Sequence, residues 1–533
     1  MNEHLLRGIA AAVTACLFCA STQKAVEAMQ QGGYKNGGFL RWLNRKGNLY
    51  FNRLAVFALC LALTSAIVSL CFAFFRVAER WALLCSAVPF LGLSLLMYFV
   101  DGKYALKIPF KRTGRFNRLF VGYYVVTAGV GFGLLTLLGW LAEVNGSRVY
   151  ALVGYVPYAV MPVFLPLLLG VATCILGVFE NARNRKFVKR AGQVLDETQI
   201  TRIGVVGSYG KTSVKNILAT LLKEKFSVVA TPESYNTPVG IAKTVFDKEF
   251  AGKQIFIAEM GARKAGDIAE LCKLVKPDYA VFTGVCAQHV ATFGSLERVW
   301  TEKSSVLKCG AKKVICGEGL RARIEGEFGD ANVAFAEQVS AVDLQAKETR
   351  FTLCVGGEEI SVSTKLLGDA AVENIALAAR LCVALGMSAE EIAAGIAKLQ
   401  PVPHRLQLIE NGGAYILDDG YNCNPLGAKQ ALAALARFDG RKCVVTPGIV
   451  ECGVLEEDIN GELGAEIAKI APDKVLLVGD TLVGAVKDGY KNAGGDEKKI
   501  SVVPTLKGAQ VALGEWVGAG DAVLFLNDLP DVY

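Results

Sequence analysis

Four long apolar stretches fill most of the first third of the chain. They cover residues 54–75, 82–100, 119–142 and 150–179. Each is long enough to cross a hydrocarbon layer of about 30 Å at about 1.5 Å per helical residue. Inside a bilayer the backbone polar groups must be satisfied within the protein, so stretches of this kind fold as helices. These stretches therefore predict an α-helical transmembrane domain at the start of the chain.

A fifth, shorter apolar stretch precedes them at residues 5–20. It contains Arg7, and no clear small-residue cleavage site follows it, so we expect a first membrane helix and keep a cleaved signal peptide as the alternative. The total is then about five transmembrane helices. Pro157, Pro162 and Pro166 predict a kink or a break in the last of them.

Basic residues cluster in alternate loops between these stretches. Many lysines and arginines lie between the first and second, between the third and fourth, and after the fifth, whereas the other two loops hold one or two each. Because basic loops stay on the cytoplasmic side, we expect a multi-pass protein of the cytoplasmic (inner) membrane with an external N-terminus. Everything after residue 179 would be cytoplasmic. The net charge of +7 is explained by these loops, and we expect no nucleic-acid partner.

The sequence IGVVGSYGKTS, which begins at Ile203, changes the character of the chain. A buried strand, a glycine turn and a helix in this order form a phosphate cradle, with Lys211 as the cation and Thr212 as a magnesium ligand. Val205 replaces the first glycine of the usual G-x-x-x-x-G-K-[ST] motif, so an ordinary strand-to-helix turn is the alternative. From residue 199 onward, short β-branched stretches alternate with amphipathic ones, which predicts an α/β fold with a mostly parallel sheet.

The prolines at 401 and 403 mark a linker between two such α/β regions. We therefore predict a membrane domain over 1–192, a P-loop ATP-binding domain over 193–400, and a smaller Rossmann-like domain over 401–533. The predicted strands are 203–206, 227–230, 255–258, 279–283 and 313–316 in the first α/β domain, and 414–417, 442–445, 474–478, 500–503 and 522–525 in the second.

Three further residues stand out, and one of them, Glu259, suggests metal chemistry. Glu259 ends an apolar strand, where a carboxylate beside a P-loop would bind magnesium, although a solvated acid is the alternative. His289 lies in a loop after a strand, and a lone histidine is more often a structural hydrogen-bonding residue. Lys303 would by default be a surface lysine. The turn before Ser295, with Glu297 behind it, predicts the start of the helix that carries Lys303.

Five motifs occur in one order: GSYGKTS, SYNTPVG, AEMGA, AQHVATFGSLE with a following EK, and DDGYNCNP. Together they resemble the Mur ligase family over about residues 199–533. This resemblance implies an ATP-dependent, ADP-forming acid–amino-acid ligase. In such a ligase a substrate carboxylate attacks the γ-phosphate, and an amine then displaces phosphate from the acyl phosphate to form an amide. It also implies two magnesium ions.

The resemblance further implies roles for individual residues. Those that would bind ATP are Gly207, Ser208, Gly210, Lys211, Thr212, Ser213, Asn374 (adenine), Arg405 (phosphates) and Asp419 (ribose). Those that would hold magnesium are Thr212, Glu259, His289 and Lys303, the last as a carbamylated lysine. Those that would act directly in catalysis are Lys211, His289, Lys303 and Arg405. Those that would contact substrate are Asn236, Thr237, Asn422 and Asn424.

Two departures from the family pattern bear on the substrates. Ala370 and Ala371 stand where the family often has a His-Asn pair, so we expect a partly rebuilt adenine pocket. The family's soluble domain that grips the UDP part of the substrate has no counterpart, and the membrane domain takes its place. We expect an amino acid or dipeptide donor and a cell-envelope precursor as acceptor, which would be either nucleotide-linked or lipid-linked. Whether the chain forms an oligomer through its membrane domain stays open.

Two other classes of function remain as alternatives. A catalytically weak membrane scaffold or nucleotide sensor would account for Ala370 and Ala371. An ATP-driven transporter would account for spans fused to a P-loop domain. The transporter reading leaves the DDGYNCNP segment unexplained, and no LSGGQ-type signature is present.

Overall fold

The structure is a computed structural model that describes residues 3–44, 48–74, 91–100, 110–144, 160–287, 290–329, 332–421, 423–479 and 482–527. Two compact units make up the chain, Met1–Arg183 and Asn184–Leu529. Two predicted site residues, His289 and Asn422, lie outside the described residues, as do parts of the apolar stretches 82–100 and 150–179.

The first unit is helical throughout its described residues. Three helices are long and apolar enough to cross a membrane, over Tyr50–Val68, Gly114–Leu141 and Met161–Glu197, and a fourth span exists if the first two helices, bent by 55°, count as one. The predicted number of about five cannot be counted in full, because two stretches fall partly outside the described residues. The helices are α1 Glu3–Ser21, α2 Gln23–Gln31, α3 Asn36–Leu43, α4 Tyr50–Phe74, α5 Leu91–Val100, α6 Gly114–Val144 and α7 Leu165–Glu197.

Two of the prolines in the last apolar stretch lie at the beginning of α7. Pro162 falls in a short 3-10 turn, Met161–Phe164, and Pro166 in the first turn of α7 itself. A proline lacks a backbone N–H, but the N–H groups of the first helical turn make no hydrogen bond within the helix, so proline is tolerated there. Pro162 and Pro166 therefore lie at the start of this helix and do not kink its interior.

The second unit begins with a six-stranded sheet in the order β2-β3-β1-β4-β5-β6. Every neighbouring pair is parallel. Sequence analysis predicted five of these strands to within two residues and missed the edge strand β6. The strands are β1 Thr201–Val206, β2 Val228–Ala230, β3 Ile255–Glu259, β4 Tyr279–Phe282, β5 Lys313–Cys316 and β6 Val333–Phe335.

Helices cover both faces of this sheet, as a parallel sheet requires. On one face the end of α7 contributes Ala191 and Leu195 to the core. On the other face the helix that follows the P-loop packs closely against the helix that carries Gly395, because a Cβ on Gly395 would lie 2.9 Å from Leu221 Cα. The helices of this region are α8 Lys211–Leu222, α9 Pro238–Val245, α10 Asp267–Val275, α11 Val290–Phe293, α12 Leu296–Ser304, α13 Arg321–Phe328, α14 Asp369–Ala384 and α15 Ala389–Ala397.

A three-stranded antiparallel sheet, which the sequence reading did not predict, packs against α14. Its strands are β7 Val339–Leu344, β8 Thr349–Val355 and β9 Glu358–Thr364. Phe351 and Leu353 on β8 are buried in the same core as α14. The first α/β domain is therefore not purely parallel, and this small sheet supports the helix that carries Asn374.

The last part of the unit is a second six-stranded sheet in the order β10-β11-β15-β12-β13-β14. It is parallel except for β10, an edge strand that pairs antiparallel with β11 and was missing from the prediction. With this correction the predicted fold class is confirmed. The strands are β10 Gln407–Asn411, β11 Ala414–Asp419, β12 Lys442–Thr446, β13 Lys474–Val478, β14 Ile500–Val503 and β15 Ala522–Leu526, and the helices are α16 Pro425–Leu435, α17 Glu456–Lys469, α18 Val483–Asn492 and α19 Leu506–Gly514.

Candidate functional site

The P-loop follows the central strand β1 and ends at the first residue of α8. Gly210, at φ +72°, is the N-cap of α8, and a Cβ there would lie 2.8 Å from Asn374 Oδ1. Lys211 folds back over the loop, with Nζ donating to the carbonyl oxygens of Gly207 at 2.8 Å and Ser208 at 3.3 Å. The loop therefore has the shape of a phosphate cradle, with a helix N-terminus behind it.

Two features of this cradle fit a bound phosphate. The Ser208 side chain is 2% exposed, and its Oγ has no hydrogen-bond partner among the described residues. The pKa of Lys211 is lowered, mainly by burial, while Glu259 opposes this and Arg405 adds to it. A buried hydroxyl and a buried ammonium that bonds to carbonyl oxygens both gain from an anion in the loop.

Glu259 ends β3 with its carboxylate beside the P-loop. The Thr212 hydroxyl donates to Glu259 Oε2 at 3.0 Å, and Asn236 Nδ2 donates to Oε1 at 3.2 Å. Lys215 Nζ lies 3.2 Å from Oε2, and the side chains of both Lys215 and Glu259 are 1% exposed. The structure thus brings together three residues singled out in the sequence, Thr212, Glu259 and Asn236, and adds Lys215.

Thr212 and Glu259 supply the oxygen ligands that Mg²⁺ prefers, and phosphate oxygens and water usually complete such a site. In the described part of the chain, no group of three or more His, Cys, Asp or Glu residues could hold a metal ion. Thr212 and Glu259 therefore fit a magnesium ion that is shared with a phosphate.

Lys303 is buried, contrary to the default expectation of a surface lysine. It lies near the end of α12, and its side chain is 1% exposed. Burial, with a further contribution from the charge of Lys211, lowers the pKa of Lys303 to about 7. The predicted start of this helix is confirmed, because Ser295 is the N-cap and its Oγ accepts from Arg298 N at 3.3 Å.

A cavity of about 150 Å³ lies beside the P-loop, and its walls come from both α/β domains. Ala370 and Ala371 line it, and the leucines at 366, 367 and 399 contribute further apolar surface. Burial raises the pKa of Tyr209 in this wall to about 12, so its phenol stays neutral. The predicted nucleotide and substrate residues that line the cavity are Gly210, Ser213, Asn374, Arg405, Asp419 and Asn424.

The C-terminal α/β domain contributes an acid and a guanidinium to this cavity. Asp419 Oδ1 accepts from Leu406 N at 3.1 Å, and burial raises the pKa of Asp419 to about 6 while Arg405 opposes the shift. The Arg405 guanidinium lies over the Tyr421 ring, 4.4 Å from its centroid. A negative and a positive group from one domain thus face the P-loop of the other.

Two of the predicted substrate residues act as helix caps. The Thr237 hydroxyl accepts from Gly240 N at 3.2 Å at the start of α9, and Asn424 Oδ1 accepts from Gly427 N at 3.0 Å at the start of α16. Their side-chain oxygens therefore already have structural partners.

Sequence reasoning missed Lys215 and Tyr421. Lys215 lies one turn after Lys211 on α8, on the same helix face, and this spacing is a signal that could have identified it. Tyr421 lies inside the DDGYNCNP motif, but no sequence pattern indicated its role, because its hydrogen-bond partner Ser234 lies in the other α/β domain.

The comparisons with known proteins agree with this geometry. The Mur ligase middle domain matches residues 205–382. The UDP-N-acetylmuramoyl-tripeptide–D-alanyl-D-alanine ligase of Bacillus subtilis is 28% identical over 342 residues, which is 62% of this chain and 74% of that protein. The ligase of the same name from Mycobacterium tuberculosis is 31% identical over 250 residues, 44% of this chain and 49% of that protein.

The fold is similar to solved structures as well. The crystal structure of MurF ligase from Thermotoga maritima in complex with ADP has a TM-score of 0.59 and 27% identity, and the match covers 66% of this chain and 81% of that one. Two α/β domains meet around a P-loop in this chain, and the matched sequence begins within β1. Residues 205–382 therefore match the middle domain of the Mur ligases, and the chain is similar to a solved Mur ligase over about two thirds of its length.

Proposed function

We propose that the chain is a membrane-embedded peptide ligase that couples ATP hydrolysis to amide formation on a peptidoglycan-type precursor. The proposal rests on one observation: charged and polar side chains from both α/β domains lie around the P-loop. Lys211, Thr212 and Glu259 come from the first α/β domain, and Arg405 and Asp419 come from the second. Phosphoryl transfer needs positioning and charge neutralisation more than covalent help from the protein, and this set supplies both.

Each residue has a defined task in this proposal. Lys211 and the amides of the P-loop bind the phosphates, Thr212 and Glu259 hold magnesium, and Arg405 brings a second cation from the other domain. Magnesium, when bound, neutralises charge on the phosphates. Exclusion of water from this site would protect the acyl phosphate, which water would otherwise hydrolyse before the amine arrives.

Lys303 is proposed to carry a carbamate. A neutral lysine amine attacks the carbon of CO₂, forming an N–C bond and releasing one proton, and the product is an anionic carbamate. Burial of Lys303 and a pKa of about 7 favour this reaction, since they make the neutral amine available near neutral pH. The carbamate would join Glu259 and His289 around a second magnesium ion.

The substrates are proposed from the relatives. The matched Bacillus subtilis ligase is named for a UDP-N-acetylmuramoyl-tripeptide and D-alanyl-D-alanine, which suggests that dipeptide as the amino donor here. The acceptor is proposed to be lipid-linked, because apolar helices occur in the same chain as the ligase domains. In α4, large apolar side chains that are each more than half exposed recur every three or four residues, as a lipid-facing surface requires: Val56, Leu59, Leu63, Ile67 and Leu70.

The test is phosphate release by the full chain in detergent with Mg-ATP, bicarbonate and D-alanyl-D-alanine. A soluble UDP-linked acceptor and its lipid-linked counterpart are compared, and the product is identified by mass spectrometry. We expect turnover with the lipid-linked acceptor, and its loss in Lys303→Ala and His289→Ala. Lys312→Ala, which changes a lysine that is 71% exposed, serves as the control and should retain activity.

Other outcomes separate the alternatives. Turnover with only the soluble acceptor would contradict the lipid-linked acceptor and leave the ligase reaction in place. ATP binding without phosphate release in the presence of either acceptor would contradict the ligase reaction and favour a scaffold or nucleotide sensor.

A further inference from the structure

The Tyr421 side chain connects the two α/β domains. Tyr421 lies just after β11, and its hydroxyl donates to Ser234 Oγ at 2.7 Å. Ser234 belongs to residues 231–237, the segment between β2 and α9 that we call the cleft loop. Tyr421 is 46% exposed, and this hydrogen bond joins its domain to the cleft loop of the first α/β domain.

The ring of the same tyrosine holds Arg405. The guanidinium carbon lies 4.4 Å from the ring centroid, and Tyr421 N donates to His404 O at 3.3 Å. His404 and Leu406, at φ +60° and +48°, give the chain a sharp turn on both sides of Arg405. Because the backbone there is fixed by unusual dihedral angles, the aromatic ring is what sets the direction of the long arginine side chain.

The cleft loop also contacts the carboxylate of Glu259, directly through Asn236 and indirectly through Lys215. Lys215 Nζ donates to the carbonyl oxygen of Glu233 and also lies 3.2 Å from Glu259 Oε2. Asn236 Nδ2 donates to Glu259 Oε1 at 3.2 Å. Glu233 has φ +44°, a conformation that a residue with a side chain adopts only when its surroundings hold it there. A displacement of Ser234 would therefore reach Glu259 through Glu233 with Lys215 and through Asn236.

We propose that Tyr421 is a positioning residue that couples closure of the two α/β domains to the arrangement of the phosphate site. Its ring directs Arg405 toward the phosphates, and its hydroxyl, bonded to Ser234, holds the cleft loop and thereby Glu259 in the working position. This inference rests on the proposed function, since it assigns Tyr421 a part in the same reaction.

The kinetic test separates the ring from the hydroxyl. Tyr421→Phe keeps the ring and removes the hydroxyl donor, and Ser234→Ala removes the acceptor of the same hydrogen bond. Each is expected to lower kcat by about fivefold, as for loss of one hydrogen bond, with KM for ATP changed by less than about twofold. The double variant should be no slower than either single variant, because one bond is lost in all three. Tyr421→Ala also removes the support of Arg405 and should in addition raise KM for ATP.

A matched control and a second readout make the test decisive. Tyr415→Phe, on β11 of the same domain, changes a tyrosine whose ring contacts Lys347 of the first α/β domain and not the cleft loop, and it should leave both constants unchanged. Hydrogen exchange of the full chain with β,γ-methylene ATP requires no acceptor, and we expect nucleotide to protect residues 231–237 in the wild type but not in Tyr421→Phe or Ser234→Ala. Multiplicative losses in the double variant, or equal protection in all variants, would overturn the inference. Protection that depends on Tyr421 in a wild type without ligase activity would support it while contradicting the proposed function.

Discussion

At the scale of single residues, Lys303 is where burial and chemistry are most closely linked. Burial and the charge of Lys211 lower the pKa of Lys303 to about 7. A large part of the amine is therefore neutral at pH 7, and the amine becomes protonated as the pH falls below that value. Since only the neutral amine attacks CO₂, we predict that carbamate content and activity both rise through pH 7. ¹³C NMR of protein equilibrated with labelled bicarbonate measures the carbamate, and the signal should be absent from Lys303→Ala.

The control for this prediction is Lys303→Glu, which places a permanent carboxylate near the position of the carbamate. We expect it to retain some activity and to lose the bicarbonate dependence. Full activity of the wild type in CO₂-free buffer, with no labelled signal, would mean that Lys303 acts as an unmodified cation.

The sequence was sufficient to place Thr212 and Glu259 together, because both follow the carboxyl ends of neighbouring parallel strands, β1 and β3. It could not pair Tyr421 with Ser234, since 187 residues separate them and neither lies in a regular element that fixes its position. The burial of Lys303 could not be predicted from the local sequence pattern either. A helix pattern tells which residues share a face, but which neighbour covers that face is decided by tertiary packing.

At the scale of elements, one carboxylate joins the helix of Lys303 to its neighbour. Glu302 on α12 accepts from Gly266 N and Ile268 N, each at 2.7 Å, and so caps the start of α10. We predict that Glu302→Ala destabilises the protein by about 2–3 kcal/mol, because two N–H groups at the helix start, that of Ile268 being buried, lose a charged acceptor. The measurement is the apparent Tm of the full chain in detergent.

A control is available on the same helix. Glu297 is 69% exposed and paired with Arg323, so Glu297→Ala should lower the Tm far less, as expected for an exposed ion pair. Equal shifts in the two variants would contradict the capping role of Glu302.

The antiparallel strands β8 and β10 were missed because their burial patterns differ from that of a buried parallel strand. Buried parallel strands are continuous apolar runs, whereas β8 alternates buried and exposed residues, and β10 lies at a sheet edge with a mostly exposed end. Each of these strands meets its neighbour at a Gly-Gly pair with positive φ at both glycines, 356–357 and 412–413. A tight hairpin requires such dihedral angles, so these pairs were a signal in the sequence that could have predicted both hairpins.

At the scale of the whole molecule, the two units differ in how far their large apolar side chains are buried. The unit Asn184–Leu529 has buried cores on both faces of its central sheet. In the unit Met1–Arg183, by contrast, α6 resembles α4 in leaving large apolar residues such as Val121, Val125 and Leu137 more than half exposed. Exposure of this kind is costly in water and favourable in lipid, which supports placing the first unit in a membrane.

Membrane placement leads to a prediction of topology. Because the basic loops should face the cytoplasm, fluorescent-protein fusions after residue 112 and at the C-terminus should fluoresce, and an alkaline phosphatase fusion after residue 147 should be active. The reciprocal fusions at the same sites are the controls and should be silent. Phosphatase activity at the C-terminus would place the ligase domains on the side without ATP, which would contradict both the orientation and the proposed reaction.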